Sequence, residues 1–290
     1  MVKKSVRKKR KRVGNTCNPS STGCGDELQS EPDEMPDMSV ENVIPLLTAL
    51  GATASLAEME RFVEVLDRSI RQRVVVARQW VRITDKSDII SLIHESIQNG
   101  QNDEAIWRCF LAAHFGRPSA RGQEQVQSAA RFLCAFRDKP FWTWKRVAAA
   151  PDVLQEWLDE CTEELATLSY GNHRKYESQK PDLIWSVMES FISLGQEYGS
   201  PSRLIATHAT EADDRFDELY RRLRTINRFG RTGKFDFLVL LLDIGLISAA
   251  PQSCYLRGAT GPLKGAKRLW GTRIPTEHDE TAAKLARQLG

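Results

Sequence analysis

The sequence predicts an all-α fold, and two observations support that prediction. From Val40 onward, apolar residues recur at steps of three and four in nearly every segment, which is the period of a helix with one buried face. No segment shows the strict alternation of apolar and polar residues that is typical of a half-buried strand. The chain also has no visible internal repeat.

The strongest helical pattern lies in residues 56–83, where charges occupy one face and six apolar residues the other: Met59, Phe62, Val63, Leu66, Ile70 and Val74. Ser87 is a suitable N-cap for the next helix, which Gly100 ends. A strongly apolar helix over 105–115 ends at Gly116. Further helices are predicted over 119–136, 151–168, 181–198, 211–225, 233–246, 262–270 and 278–289.

Residues 1–40 form a charged tail that we expect to be disordered, and residues 41–290 form the helical domain. The tail is rich in Ser, Pro, Gly and Asn, so it cannot bury enough apolar surface to offset the entropy lost on ordering. Eight of its first twelve residues are Lys or Arg. This basic block either adds non-specific affinity for DNA or is a solubilising or targeting tail.

Composition excludes several classes of protein. Apolar residues make up 41% of the chain and charged residues 27%, which is ordinary for a soluble globular protein. No apolar run reaches the ~20 residues of a membrane span, and none follows the basic start, so we expect a cytoplasmic protein without a membrane partner. The six cysteines are scattered, which predicts no metal site and no cofactor. No heptad or exposed apolar stripe indicates an obligatory protein partner.

Basic residues are concentrated near the end of the chain. Between Arg221 and Arg273 there are eleven Lys or Arg residues against two acids, Asp236 and Asp243. Such a distribution is typical of a polyanion-binding surface, and it assigns the binding of DNA to residues 221–290. In a bacterial host this would make the protein nucleoid-associated.

Three spaced glycines within that basic region are the strongest candidate for a phosphate contact. Glycine lets a main chain approach closely, and the start of a helix favours negative charge. The predicted backbone-binding residues here are Gly258, Thr260, Gly261, Lys264, Gly265 and Lys267. Arg231 and Lys234 beside Gly230 form a second candidate nest of donors. The alternative at both places is a simple turn between helices.

A polar string between two predicted helices is the candidate base pocket. Asn172, His173, Arg174 and Tyr176 offer amide, imidazole, guanidinium and phenol groups, which can hydrogen-bond a flipped base and stack on it. A solvated loop is the alternative. His114, at the end of an apolar helix, is either a satisfied core histidine or part of the same pocket.

Asp279 is the candidate catalytic residue. It follows Gly261 by eighteen residues and lies at the start of the predicted helix 278–289. Cleavage of an N-glycosidic bond develops positive charge on the sugar, which an ionised carboxylate stabilises while it orients water. A helix cap is the alternative role for Asp279, and His278 and Glu280 are the nearby alternatives for the chemistry.

The order of glycine hairpin, apolar helix, Pro275, Asp279 and basic helix resembles the helix-hairpin-helix DNA glycosylase superfamily. The resemblance implies that Asp279 is catalytic. The chain departs from the pattern, since two residues separate Gly258 from Gly261 and the expected lysine step holds Leu263. No iron–sulfur cysteines are present. These departures favour a monofunctional enzyme without a Schiff-base lysine.

Four strings give a narrower resemblance, to the alpha-glutamyl/putrescinyl thymine pyrophosphorylase family: 106–116, 170–178, 227–236 and 255–262. That family is associated with hypermodified bases in phage DNA, and some relatives resemble anti-phage glycosylases that excise glucosylated pyrimidines. The resemblance implies a base-flipping DNA glycosylase that leaves abasic sites in modified phage DNA. A transferase that displaces pyrophosphate from an activated thymine, and a non-catalytic DNA-binding protein, are the alternatives.

Overall fold

The computed structural model describes residues 39–80, 89–116, 128–136, 141–171, 177–249, 251, 255 and 259–271. The chain divides into two units, Met1–Pro36 and Asp37–Gly290, and every described residue belongs to the second. The described residues form helices and turns without a strand, which confirms the predicted all-α class. None of the described helices is long and apolar enough to cross a membrane.

The described part of the chain contains α1 (Val40–Ala49), α2 (Leu56–Trp80), α3 (Ile89–Gln98), α4 (Asn102–Phe115), α5 (Ser128–Leu133), α6 (Trp144–Ala149), α7 (Pro151–Glu160), α8 (Thr162–Leu165), α9 (Pro181–Glu197), α10 (Pro201–Leu204), α11 (Ala212–Arg222), α12 (Arg231–Asp243) and α13 (Thr260–Trp270). A 3-10 turn, Leu223–Thr225, follows α11. The predicted helix 278–289 and nearly all of the predicted tail lie outside the described residues.

The predicted helix over 151–168 is two helices, and this part of the prediction is wrong. Cys161 separates α7 from α8 with φ −102° and ψ 29°, outside the helical region. The bend buries Cys161 and Leu165 in the main core. Burial of apolar side chains therefore overrides the continuity of the local helical pattern.

The main hydrophobic core surrounds α4, which is buried on nearly every side. Phe110 of α4 stacks on Phe191 of α9, with ring centroids 3.9 Å apart. At the start of α4 the buried Glu104 accepts hydrogen bonds from Arg108 Nε (2.9 Å) and the Trp144 amide (2.6 Å), so its charge is paired. The core thus fixes α4 along its length and sets the position of its last residues.

A second hydrophobic cluster joins α13 to α1 and α2, and its buried members are Val43, Leu47, Met59, Val63, Ala266, Leu269 and Trp270. The amides of Thr53 and Ala54 donate to the Leu269 carbonyl at 2.8 and 3.0 Å. Trp270 Nε1 donates to the Leu50 carbonyl at 3.2 Å, across 220 residues of sequence. The turn between α1 and α2 therefore holds the end of α13.

Candidate nucleic-acid interface

Helix α13 presents a basic, glycine-containing face. Its cluster-facing side buries Ala266, Leu269 and Trp270. The exposed residues of α13 include all five of its predicted backbone-binding residues and one more arginine: Thr260, Gly261, Lys264, Gly265, Lys267 and Arg268. Because residues three and four apart share a helix face, the cations at 264, 267 and 268 lie side by side.

Helix α13 begins two residues earlier than predicted, so Gly261 lies in its first turn. Pro262 favours this start, because a helix has no intrahelical acceptor for the amides of its first turn and proline loses none there. Gly258, the first glycine of the predicted hairpin, lies outside the described residues. The hairpin itself stays a prediction.

No contact in the described structure requires the glycines at 261 and 265. A Cβ at either position would meet no heavy atom within 4 Å, and neither residue has a positive φ. Glycine inside a helix costs about 0.5–1 kcal/mol relative to alanine. Because the surface of α13 at Gly265 is unobstructed, another backbone can approach it closely, beside Lys264.

The second predicted contact, at the start of α12, is more enclosed. Arg231 and Lys234 are both half-buried. Arg231 Nε donates a hydrogen bond to the Tyr255 carbonyl, and Lys234 Nζ lies 4.7 Å from the ring centroid of Tyr220. Burial lowers the pKa of Lys234, and the positive charge of Arg224 lowers it further. These cations are held by the protein and are not freely extended into solvent.

Tyr255 links this region to the segment before α13, which sequence reasoning missed. Its hydroxyl donates to the Asp217 carboxylate on α11, and its ring stacks on Tyr220 with centroids 4.4 Å apart. Burial raises the pKa of Tyr255, and the hydrogen bond to Asp217 raises it further. Arg221 and Arg224, both exposed, complete a basic surface around these tyrosines. The high density of basic side chains was the only local sequence signal for this cluster.

His114 lies at the last turn of α4 and is 1% exposed. Its imidazole packs edge-on against Tyr170, with ring centroids 5.5 Å apart, and stacks on Phe110. The Gly171 amide donates to the Phe115 carbonyl at 2.7 Å. His114 is therefore a buried residue that directly supports the point where the polar string begins.

The described residues on both sides of the polar string are tied together. The Tyr170 hydroxyl donates to the Ser178 carbonyl at 3.1 Å. Glu177 forms an ion pair with Arg228 at 3.3 Å, and Arg228 has a left-handed backbone with φ 54°. The predicted pocket residues Asn172, His173, Arg174 and Tyr176, like the predicted catalytic Asp279, lie outside the described residues.

The family model for alpha-glutamyl/putrescinyl thymine pyrophosphorylase clade 3 matches residues 53–289, which is well over half of the chain. The chain belongs to this family. The family is enzymatic and acts on modified thymine in DNA. No curated protein and no solved structure matches the chain.

The four strings that resemble the pyrophosphorylase family meet around α4 and the start of α12. Phe110 contacts Phe229, with ring centroids 5.1 Å apart, which joins string 106–116 to string 227–236. String 170–178 contacts string 106–116 through the rings of Tyr170 and His114. It contacts string 227–236 through the ion pair between Glu177 and Arg228. The hydrogen bond between Arg231 and Tyr255 brings in the beginning of string 255–262. Segments far apart in sequence thus form one region.

Proposed function

We propose that this pyrophosphorylase-family member is a monofunctional DNA N-glycosylase that removes a hypermodified pyrimidine, such as a glucosylated hydroxymethylpyrimidine, from phage DNA. The meeting of the four strings around α4 and α12 carries the proposal. It ties the described residues on either side of string 172–176 together through Tyr170 and Ser178, pairs Glu177 with Arg228, and joins Arg231 to Tyr255. A role in defence of a bacterial host, at its nucleoid, follows from such a substrate.

In the proposed reaction, α13 holds the DNA backbone through its glycines and lysines while the target nucleotide rotates out of the stack, at a cost of a few kcal/mol. Asn172, His173, Arg174 and Tyr176 read the base and its adduct, with His114 supporting them. The bond between the sugar C1′ and the base nitrogen breaks, and the oxygen of a water molecule joins C1′. One proton of that water ends on the departing base, and an abasic site remains.

The test is incubation of the purified protein with phage DNA that carries glucosylated hydroxymethylcytosine, beside unmodified DNA. Mass spectrometry of small products and an abasic-site probe are the readouts. Free modified base and abasic sites in the modified DNA alone support the glycosylase. DNA that is retained without a product contradicts the proposal and leaves the transferase and the non-catalytic binding protein as the candidates.

Asp279 supplies the proposed carboxylate, and Asp279→Asn is expected to lower base release at least 100-fold, because the positive charge on the sugar loses its stabilising partner. Single-turnover release of the base measures the effect. Glu280→Gln is the matched control and is expected to keep near-full activity. Base release by folded Asp279→Asn at the wild-type rate contradicts the mechanism.

A transferase is the second candidate, and the name of the family favours it. In this reaction an amine displaces pyrophosphate from an activated thymine in DNA, at the same pocket. DNA with pyrophosphorylated hydroxymethylpyrimidine, incubated with putrescine or glutamate, tests it. Release of pyrophosphate with incorporation of the amine identifies the transferase, and release of free base identifies the glycosylase.

A further inference from the structure

We infer that Tyr255 is a positioning residue that fixes the chain before α13 to α11 and α12, so that the exposed arginines after the middle of α11, Arg221 and Arg224, and the basic face of α13 contact the same DNA. The inference rests on the proposed function, because it concerns how that site holds its DNA. Tyr255 touches no substrate in this scheme. It acts through Asp217 on α11 and Arg231 on α12.

The backbone of Tyr255 is the first observation. Its φ is 47°, in the left-handed region that costs free energy for any residue with a Cβ. A residue keeps such a conformation only where its surroundings hold it. Here the side-chain hydroxyl is bound by Asp217, the carbonyl by Arg231, and the ring by Tyr220 and Phe235.

The length of the connection is the second observation. Thr260, the first residue of α13, follows Tyr255 by five residues, so the two Cα atoms are at most about 18 Å apart. Phosphates of one DNA strand rise about 3.4 Å per nucleotide, so about five nucleotides span that distance. A point fixed by Tyr255 therefore limits where the α13 face lies along a bound strand.

Charge is the third observation. Arg221, Arg224 and Lys234 lie around the two tyrosines on one side of the connection. On the other side α13 exposes three cations, Lys264, Lys267 and Arg268. Two basic surfaces bind DNA more tightly when their spacing is fixed than when each must be brought to the strand separately.

The first test measures binding of a fluorescent 20-base-pair unmodified duplex by full-length protein over a range of salt concentrations. Each phosphate contact adds about 0.9 to the slope of log K against log salt. Tyr255→Phe keeps the ring and removes the hydroxyl. This variant is expected to lose the equivalent of about two phosphate contacts from the slope and to bind DNA about 10-fold more weakly. Tyr198→Phe, the control, is expected to leave the slope and the affinity unchanged. A wild-type slope in folded Tyr255→Phe overturns the inference.

Asp217 gives an independent variant pair. Asp217→Asn keeps an acceptor for the tyrosine hydroxyl and is expected to retain the wild-type slope. Asp217→Ala removes the acceptor and is expected to match Tyr255→Phe, and the double variant should bind no more weakly than either single variant. If Tyr255→Phe melts below the assay temperature, Asp217→Ala makes the same test. A wild-type slope in Asp217→Ala overturns the inference.

The outcomes separate this inference from the proposed function. Loss of thermal stability without a change in slope means that Tyr255 is only structural, which overturns the inference alone. Absence of binding of this duplex by the wild-type protein overturns the inference, whereas the proposed function is judged separately by the release of base from modified DNA. A reduced slope with unchanged chemistry at saturating DNA supports positioning.

Discussion

At the scale of single residues, substitution of Gly265 is expected to change the stability of the protein and its DNA affinity in opposite directions. Nothing in the described structure would meet a Cβ there, so Gly265→Ala is expected to raise the free energy of unfolding by about 0.5–1 kcal/mol. The added methyl group stands between α13 and an approaching phosphate backbone, so DNA affinity is expected to fall about 5-fold, or ~1 kcal/mol. Urea denaturation and a DNA titration measure the two effects.

Ser69→Ala in α2 is the matched control for this change. Ser69 is also exposed on a helix, and its hydroxyl donates only to the Val65 carbonyl of the preceding turn. The control variant is expected to bind DNA like the wild-type protein. Unchanged DNA affinity in Gly265→Ala would mean that the glycine serves no backbone approach, and the interface on α13 would have to be reconsidered.

At the scale of elements, two tyrosines at the junction of α11 and α12 make the free energy of unfolding depend on pH in the alkaline range. Burial raises the pKa values of Tyr255 and Tyr220 above 10.0, the ordinary value for tyrosine. The unfolded chain then loses these protons first as pH rises, so stability is present below pH 10 and declines above it. Lys234 acts in the opposite direction, because its lowered pKa makes the folded state release a proton before the unfolded state does.

Tyr255→Phe is expected to reduce the alkaline loss of stability, because one of the two perturbed tyrosines no longer titrates. Urea denaturation between pH 9 and pH 11.5 measures the slope of the unfolding free energy against pH. Equal slopes for the wild-type protein and Tyr255→Phe would contradict the account of this junction.

The elements also show what local patterns can predict. The period of apolar residues identified α2 and α9 because each presents an apolar stripe to a core, whereas α4 was identified by its nearly continuous apolar run. The steps between Lys264, Lys267 and Arg268 likewise define one face of α13. Local pattern failed at Cys161, where packing against distant helices bends the chain.

Contacts between distant residues set the limit of prediction at the site. Tyr255 meets Asp217 across 38 residues and Arg231 across 24. No helical period encodes such pairs, so the sequence predicted a DNA-backbone contact or a turn at Arg231 and Lys234 but not that both are half-buried. Their half-buried state depends on two tyrosines whose place becomes evident only after folding.

At the scale of the whole molecule, the two hydrophobic clusters predict two levels of protection from hydrogen exchange. Trp270 packs in the smaller cluster and donates to the Leu50 carbonyl. Trp270→Ala is expected to destabilise that cluster by about 3 kcal/mol or more. Amides of α1, α2 and α13 should lose protection, while those of α4 and α9 keep theirs.

Trp107→Ala, in the main core, is the control for this experiment and should lower the protection of α4 and α9. Hydrogen exchange followed by mass spectrometry of peptides reads both clusters at once. Equal loss of protection in all five helices of Trp270→Ala would show that the clusters unfold as one cooperative unit.

The contact between Trp270 and Leu50 also sets the earliest time during synthesis at which the smaller hydrophobic cluster can be complete. At roughly 5–20 residues per second, a ribosome needs on the order of 10–40 s to make the 220 residues between these partners. For that time Val43 and Leu47 lack the apolar side chains of α13 that cover them in the finished protein. The nascent chain thus has an uncovered, aggregation-prone apolar surface on α1, and the helix that protects this surface also presents the proposed DNA-binding face.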